Sequence, residues 1–266
     1  MILDTSAAWL REARRSAILK RASGRDGRLL AEIMNTFKLV SDLICPWCYI
    51  GKRRLEAALR ALPADTAVSV SWHPFQLNPH MPREGMDRKE YCMRKFGSWA
   101  KCEELYAQIS EAGKTVGIDF HFEKQPIIPN TFDSHRVIWL AGQEGVQDAV
   151  VEELFRAYFC EGVNLSKSSN LVQVAAAAGL DRLQTERLLS SDRAVAEVLS
   201  AEQEIKELGI AAVPLFIIQD RVGVSGAQPA ETILRAFAQA QGGDRKAGNP
   251  VRESVHSGSD PKGRSL

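Results

Sequence analysis

Short apolar runs and long helical periodicities alternate along this chain, and their order gives the first picture of it. "FKLVSDLI" (37–44) is a compact apolar run rich in strand formers and reads as a buried strand. The period then changes. Leu55, Ala58, Leu59 and Leu62 recur at helical spacing, while Lys52, Arg53, Arg54 and Arg60 fall where they can face water. Pro46 stands at the first helical position, with Cys45 as its N-cap. "VSVSWHPF" (68–75) returns to alternation, with Val68, Val70 and Trp72 on one face and Ser69, Ser71 and His73 on the other, and predicts a second strand.

From about residue 85 to 208 the pattern is almost wholly helical. "VVEELFRAYF" puts Val151, Leu154, Phe155 and Tyr158 on one stripe. Gly179 and Gly209 stand where helices end, and Asp181 where one begins. Val195, Val198, Leu199, Ile205 and Leu208 form a further apolar face. Strands then return in "PLFII" (214–218) and "VGVS" (222–225), joined by a turn around "QDR". Pro229 opens a last helix carrying Ile233, Leu234, Phe237 and Ala240.

A short hairpin joins only antiparallel strands, whereas the first two strands are bridged by a helix and can run parallel. The expectation is an α/β protein: a mixed central sheet flanked by helices, with a large all-helical insertion between the second and third core strands. The sheet domain is drawn from 36–80 and 192–241, and the inserted helical subdomain from 81–191. Residues 1–35 are Arg-rich and read as an extension that need not belong to the fold. Asp4, Glu12, Asp26 and Glu32 speak against a transit peptide, and Met34 offers a second start just before the first strand. Residues 242–266 are Gly, Ser, Pro and charge with few apolar positions, and read as a disordered tail. There are no internal repeats.

Composition narrows the function classes. The 266 residues are 45% hydrophobic and 25% charged, with a net charge of +1, so no overall field favours nucleic acid or a membrane surface. No apolar run approaches the roughly 20 residues of a membrane helix, and the N-terminus lacks a secretory signal pattern. The expected compartment is the cytoplasm. There a Cys-x-x-Cys pair is more often catalytic or metal-binding than a structural disulfide.

That pair is Cys45 and Cys48, in "CPWC". At an N-cap, unpaired backbone N–H groups and the positive end of the helix favour thiolate over thiol at Cys45. Cys48 lies one turn deeper. The outer sulfur suits attack on a disulfide, and the inner one suits resolution of the mixed disulfide. Trp47 adds an apolar face without adding charge. A closed zinc site needs four ligands, and Cys92, Cys102 and Cys160 do not provide a second pair at comparable spacing. A structural disulfide closing so short a loop removes little entropy. A redox pair is favoured over these readings and over two inert thiols. Pro214, at the start of a strand, is a second notable position.

"CPWCYIGKRRLE", "WHPFQLNP" (72–79), "PNTFDSHRVIWLAG" (129–142), "LFRAYFCEG" (154–162), "AAVPLF" (211–216) and "VSGAQPAE" (224–231) together resemble the DsbA-like branch of the thioredoxin superfamily, in particular its FrnE-type proteins. The resemblance runs in order from about 37 to 241. It implies a thioredoxin fold and dithiol-disulfide oxidoreductase activity, with Cys45 as nucleophile and Cys48 as resolving thiol. Pro46 and Trp47 would form the active-site context, and Val213–Pro214 a cis-proline loop that pairs with substrate backbone. The same group contains 2-hydroxychromene-2-carboxylate isomerases and kappa-class glutathione transferases. These usually carry serine where Cys45 stands, so the cysteine argues against them. Asn130, in a "PN" motif shared with that side of the group, is a candidate glutathione contact or a helix N-cap.

The implied partners are disulfide- or thiol-bearing proteins or small thiols. No tightly bound cofactor and no metal is expected, with glutathione as a candidate co-substrate and oligomeric state left open. His73, His80, His121 and His135 are isolated and read as surface or core residues rather than ligands. Cys160 reads as a buried inert thiol. Cys92 and Cys102 would pair only if their helices adjoin, and Lys52, Arg53 and Arg54 read as a solvated face.

Overall fold

The computed structural model describes residues 34–242; of the extension read over residues 1–35, Asn35 begins the first strand, while residues 1–33 and the tail beyond 242 lie outside the described residues. The central sheet has four strands, β1 (Asn35–Ser41), β2 (Val68–Pro74), β5 (Leu215–Ile218) and β6 (Val222–Ser225), in the order β2-β1-β5-β6. β1 pairs parallel with β2 and antiparallel with β5, and β5 turns back into β6. The parallel pair is bridged by helix α1 (Pro46–Arg60).

Period-two alternation assigns the two faces of the sheet. Phe37, Leu39, Phe216 and Ile218 point into the larger core, shared with α1 and with α9 (Ala230–Gly242). Val40, Leu215 and Ile217 point the other way and meet Ile205 of helix α8 (Val195–Glu207) together with Phe75 and Ile210. Leu199 and Leu208, read from their spacing as part of the apolar face of this helix, are 49% and 39% exposed, because the helix offers the sheet a narrower stripe.

The segment between β2 and β5 carries helices α2 (Arg88–Phe96), α3 (Trp99–Lys114), α4 (Phe132–Glu144), α5 (Gln147–Phe159), α6 (Ser168–Ala177) and α7 (Arg182–Leu189) before α8. It also holds a two-residue antiparallel ladder, β3 (Met86–Asp87) with β4 (Ile127–Ile128), too short to leave a periodic signal. Asp181 caps α7 through Gln184 N–H at 2.7 Å, and Gly179 and Gly209 end their helices at positive φ. The stripe Val151, Leu154, Phe155 and Tyr158 is fully buried, and Phe155 stacks on Tyr49 of α1 at 5.0 Å between ring centroids. The helical block is thereby packed directly on the helix that follows the cysteines.

Two local expectations give way to tertiary contacts. The first strand begins at Asn35 and stops at Ser41, so residues 42–44 form a turn. Asp42 is fully buried there, its Oδ2 accepting the Leu77 N–H at 2.7 Å while its carbonyl accepts Cys45 N–H at 3.1 Å. The solvated face assigned to Lys52, Arg53 and Arg54 is also corrected. Lys52 is 2% exposed and its ammonium meets Glu56, Asp148 and Glu152. Arg53 joins the same cluster, and Arg54 donates to the Ala227 carbonyl.

A buried carboxylate ties α8 to the loop after β2. Glu202 accepts Gln76 N–H at 2.7 Å and the Gln76 side-chain amide at 2.9 Å, and lies 3.1 Å from Lys206. Burial opposes its ionisation, but these donors and Lys206 outweigh burial and hold the carboxyl below its ordinary range. A depressed folded value stabilises the fold above the unfolded pKa of about 4.3, and that stability is lost as pH falls through the folded value. Glu202→Gln should therefore cost about 1–2 kcal/mol near neutrality. The gap from wild type should close on acidification. Urea unfolding of both proteins at pH 7 and pH 3 checks this; a gap that does not change with pH would contradict the assignment.

Candidate active site

The turn at 42–44 and the start of α1 place the two cysteines. Cys45 is the N-cap in extended conformation, Pro46 takes the first helical position where no N–H is needed, and Cys48 N–H bonds to the Cys45 carbonyl at 3.0 Å. No acidic residue occupies the first turn of α1, so nothing there opposes the positive helix end. Both thiols are unpaired. Cys45 is 4% exposed and Cys48 1%, so the outer sulfur is more enclosed than an open N-cap suggests. It is reached from a cleft that it lines together with Pro46 and Trp47. Burial pushes the Cys48 thiol well above the ordinary cysteine range, and the adjacent Cys45 sulfur adds to the rise. Contacts from the Ser41 side chain and the Asp42 backbone only partly offset it. Cys48 therefore holds its proton at neutral pH.

On the other side of Cys45 lies the loop before β5. The Val213–Pro214 bond is cis, and the Cys45 thiol donates to the Val213 carbonyl at 3.8 Å across 168 residues of sequence. The Pro214 carbonyl accepts the Gly226 N–H at 2.8 Å. Gly51 lets α1 approach this loop, since a Cβ there would stand 3.1 Å from Phe216 and 3.2 Å from Pro214. Cys45, Cys48, Pro46, Trp47, Val213 and Pro214 thus gather at one place.

Asn130 lies elsewhere. Its side chain donates to the Met81 carbonyl at 2.7 Å and accepts Phe132 N–H at 2.9 Å, fastening the loop before α4, and it is not among the residues lining the cleft. Cys92 and Cys102 form a disulfide between α2 and α3, both fully buried, with the Cys92 sulfur 3.3 Å from the Tyr106 hydroxyl. Cys160 ends α5, half-buried, its thiol raised by burial and by Asp119 and Glu152. Among the described residues no group of His, Cys, Asp or Glu is arranged to hold a metal ion.

Sequence reasoning passed over two features of this region. Asp42 could have been flagged as a charge inside an otherwise apolar run. Its Oδ1 lies 3.6 Å from Nε2 of the buried His135, so this histidine is not isolated. The far wall of the cleft, which includes Arg88, Tyr91, Lys95 and Tyr106, left no local signal, because α2 and α3 meet the cysteines only through folding.

A sheet of this order, with a dithiol at the N-terminus of its first helix and a proline loop against the outer sulfur, defines a thioredoxin-fold protein. The chain belongs to the DSBA-like thioredoxin domain family, whose model matches residues 36–238. It is 26% identical over 206 residues to the uncharacterized protein YwbO of Bacillus subtilis (strain 168), covering 77% of this chain and 96% of that protein. It is 30% identical to the crystal structure of the probable DsbA oxidoreductase SCO1869 from Streptomyces coelicolor, with a TM-score of 0.74 and coverage of 80% and 93%. The cytosolic disulfide reductase DsbM from Pseudomonas aeruginosa shares the fold at 18% identity, with a TM-score of 0.53 and coverage of 77% and 98%. Members of the DsbA-like family are thiol–disulfide oxidoreductases. No helix among the described residues is long and apolar enough to cross a membrane.

Proposed function

We propose that this protein is a thiol–disulfide oxidoreductase that works through Cys45 and Cys48 on thiol- or disulfide-bearing proteins or small thiols, with glutathione as a co-substrate. The observation that carries the reading is the asymmetry of the pair. Cys45 lines the cleft and meets the Val213 carbonyl, while Cys48 does not line it and keeps its proton.

In the reducing direction the Cys45 thiolate attacks one sulfur of a substrate disulfide. A Cys45–substrate bond forms and the first substrate thiolate leaves. Cys48 gives up its proton and attacks the Cys45 sulfur. The Cys45–Cys48 disulfide forms, the second substrate thiolate leaves, and two electrons have passed to the substrate. Oxidation of a dithiol is the same sequence reversed, and the relative stability of the two redox states sets the direction. In this reading the Val213 backbone pairs with the substrate chain, and its contact with the Cys45 thiol supports that role.

The Cys92–Cys102 disulfide is of the kind that oxidising compartments preserve, and it weighs against the cytoplasmic placement expected from composition. The function is tested by equilibrating the protein in glutathione buffers of graded potential and counting thiols, alongside turnover of insulin or glutathione disulfide. The expected result is a two-thiol transition lost when Cys45 or Cys48 is replaced. A pair that stays reduced across the range, with no turnover, would overturn the reading.

A further inference from the structure

The disulfide chemistry makes no use of the cleft's far wall, and that wall holds a charge without a counter-charge. Arg88 is 6% exposed. Its guanidinium donates to the carbonyl and side-chain oxygens of Gln125, to the Tyr106 hydroxyl at 2.8 Å and to the Tyr158 hydroxyl at 3.2 Å. It also lies 5.2 Å from the Tyr106 ring centroid. All these partners are neutral, and they engage four of the five N–H groups of the guanidinium. Among the described residues one N–H on Nη1 has no acceptor, and no ion pair involves Arg88. Buried charges are ordinarily paired.

A second cation shares this wall. Arg88, Tyr91 and Lys95 follow one another at i, i+3 and i+7 on one face of α2, and all three line the cleft. The Lys95 ammonium, on the exposed rim of the cleft, donates to the Tyr91 hydroxyl at 2.8 Å and has no carboxylate partner among the described residues. Among the described residues no acidic one lines the cleft. Leu77, Leu105, Ile109 and Phe122 make its apolar sides, and Cys45 and Trp47 lie among its other walls.

We infer that this cleft binds a compact, apolar thiol or disulfide bearing a carboxylate, its acid group held by Arg88 and Lys95 and its sulfur presented to Cys45. The inference rests on the dithiol reading and gives it a substrate class. An anion supplies the counter-charge that Arg88 lacks, in the planar geometry that a guanidinium recognises. The apolar body gains by leaving water between the aromatic and aliphatic walls.

Two aromatic disulfides of equal shape provide the test: 4,4′-dithiodibenzoate, which is charged, and 4,4′-dithiodibenzamide, which is neutral. Each rate of oxidation of the reduced protein is divided by the rate with free dithiothreitol, which removes intrinsic reactivity. The carboxylate compound is expected to react at least about tenfold faster, and the preference to fall towards one in Lys95→Met and in Arg88→Gln. Benzoate, which has no sulfur, should slow alkylation of wild-type Cys45 by iodoacetamide, whereas benzamide should not. That arm needs no variant, so it decides even if Arg88→Gln does not fold. Equal normalised rates and no protection by benzoate would overturn the inference while leaving the dithiol reading intact. Protection by benzoate with no exchange of either disulfide would uphold the acid site and sink the dithiol reading instead.

Discussion

Cys45→Ser is expected to lower disulfide exchange by about 10³-fold or more, because a serine hydroxyl at neutral pH offers no thiolate and the attacking and resolving groups act as a unit. Cys48→Ser should behave differently. Cys45 still attacks, but nothing resolves the adduct, so the Cys45–substrate disulfide accumulates and appears in intact mass as one added substrate thiol. The contrast follows from the geometry. Cys45 lines the cleft and Cys48 does not, and burial keeps Cys48 protonated until the adduct forms. Turnover of insulin or glutathione disulfide, with mass analysis of both variants, checks the pair of outcomes. If Cys45→Ser kept full turnover of an organic substrate with glutathione, the isomerase or transferase class would replace the present one.

The second large effect is on stability. Lys52 lies one turn beyond Cys48 on α1, and its ammonium is 3.2 Å from Asp148 and 3.1 Å from Glu152 of α5, with Glu56 alongside. Burial opposes its charge, but the three carboxylates outweigh burial and hold its pKa above the ordinary lysine value. Lys52→Met leaves three neighbouring carboxylates with Arg53 as their remaining cation, paired with Glu56 and Glu152 but not with Asp148, and breaking a buried pair from one side is the costly way to break it. A loss of about 3 kcal/mol in unfolding free energy is expected, at the low end of such cases because the carboxylates keep some contact with water. Lys114→Met, which removes an exposed pair with Glu111, should leave stability essentially unchanged. Denaturant unfolding of both variants checks the contrast. Equal small losses would show that the Lys52 cluster does not pin α1 to the helical block.

Much of the fold was legible because its signals are local. The alternation in "VSVSWHPF", the buried stripe from Val151 to Tyr158, the cap at Asp181 and the glycine stops at 179 and 209 each depend on residues a few positions apart. The mixed sheet followed from connection lengths alone, since a three-residue link makes β5 and β6 antiparallel and a helix lets β1 and β2 run parallel. Within the site, Cys45 and Cys48 could be singled out by spacing and by Pro46. Val213 and Pro214 could be joined to them only through resemblance to a family, because no local pattern links residues so far apart.

Local signals along the chain set the order and type of the main elements, the helix that starts at the cysteines, and the chemistry that a Cys-x-x-Cys pair there can perform. Tertiary structure alone decided which charges are buried, which cysteines meet and what faces Cys45. Lys52 looks solvated on a helical wheel and is buried because α5 brings carboxylates to it. Cys92 and Cys102 pair because α2 folds back on α3, and the same hairpin carries Arg88 and Lys95 to the cleft beside Cys45. The physical reason is common to all three. Periodicity, caps and turns are written in interactions between near neighbours, whereas desolvation and charge pairing depend on which surfaces meet, and that is settled only when the helical block closes on the sheet.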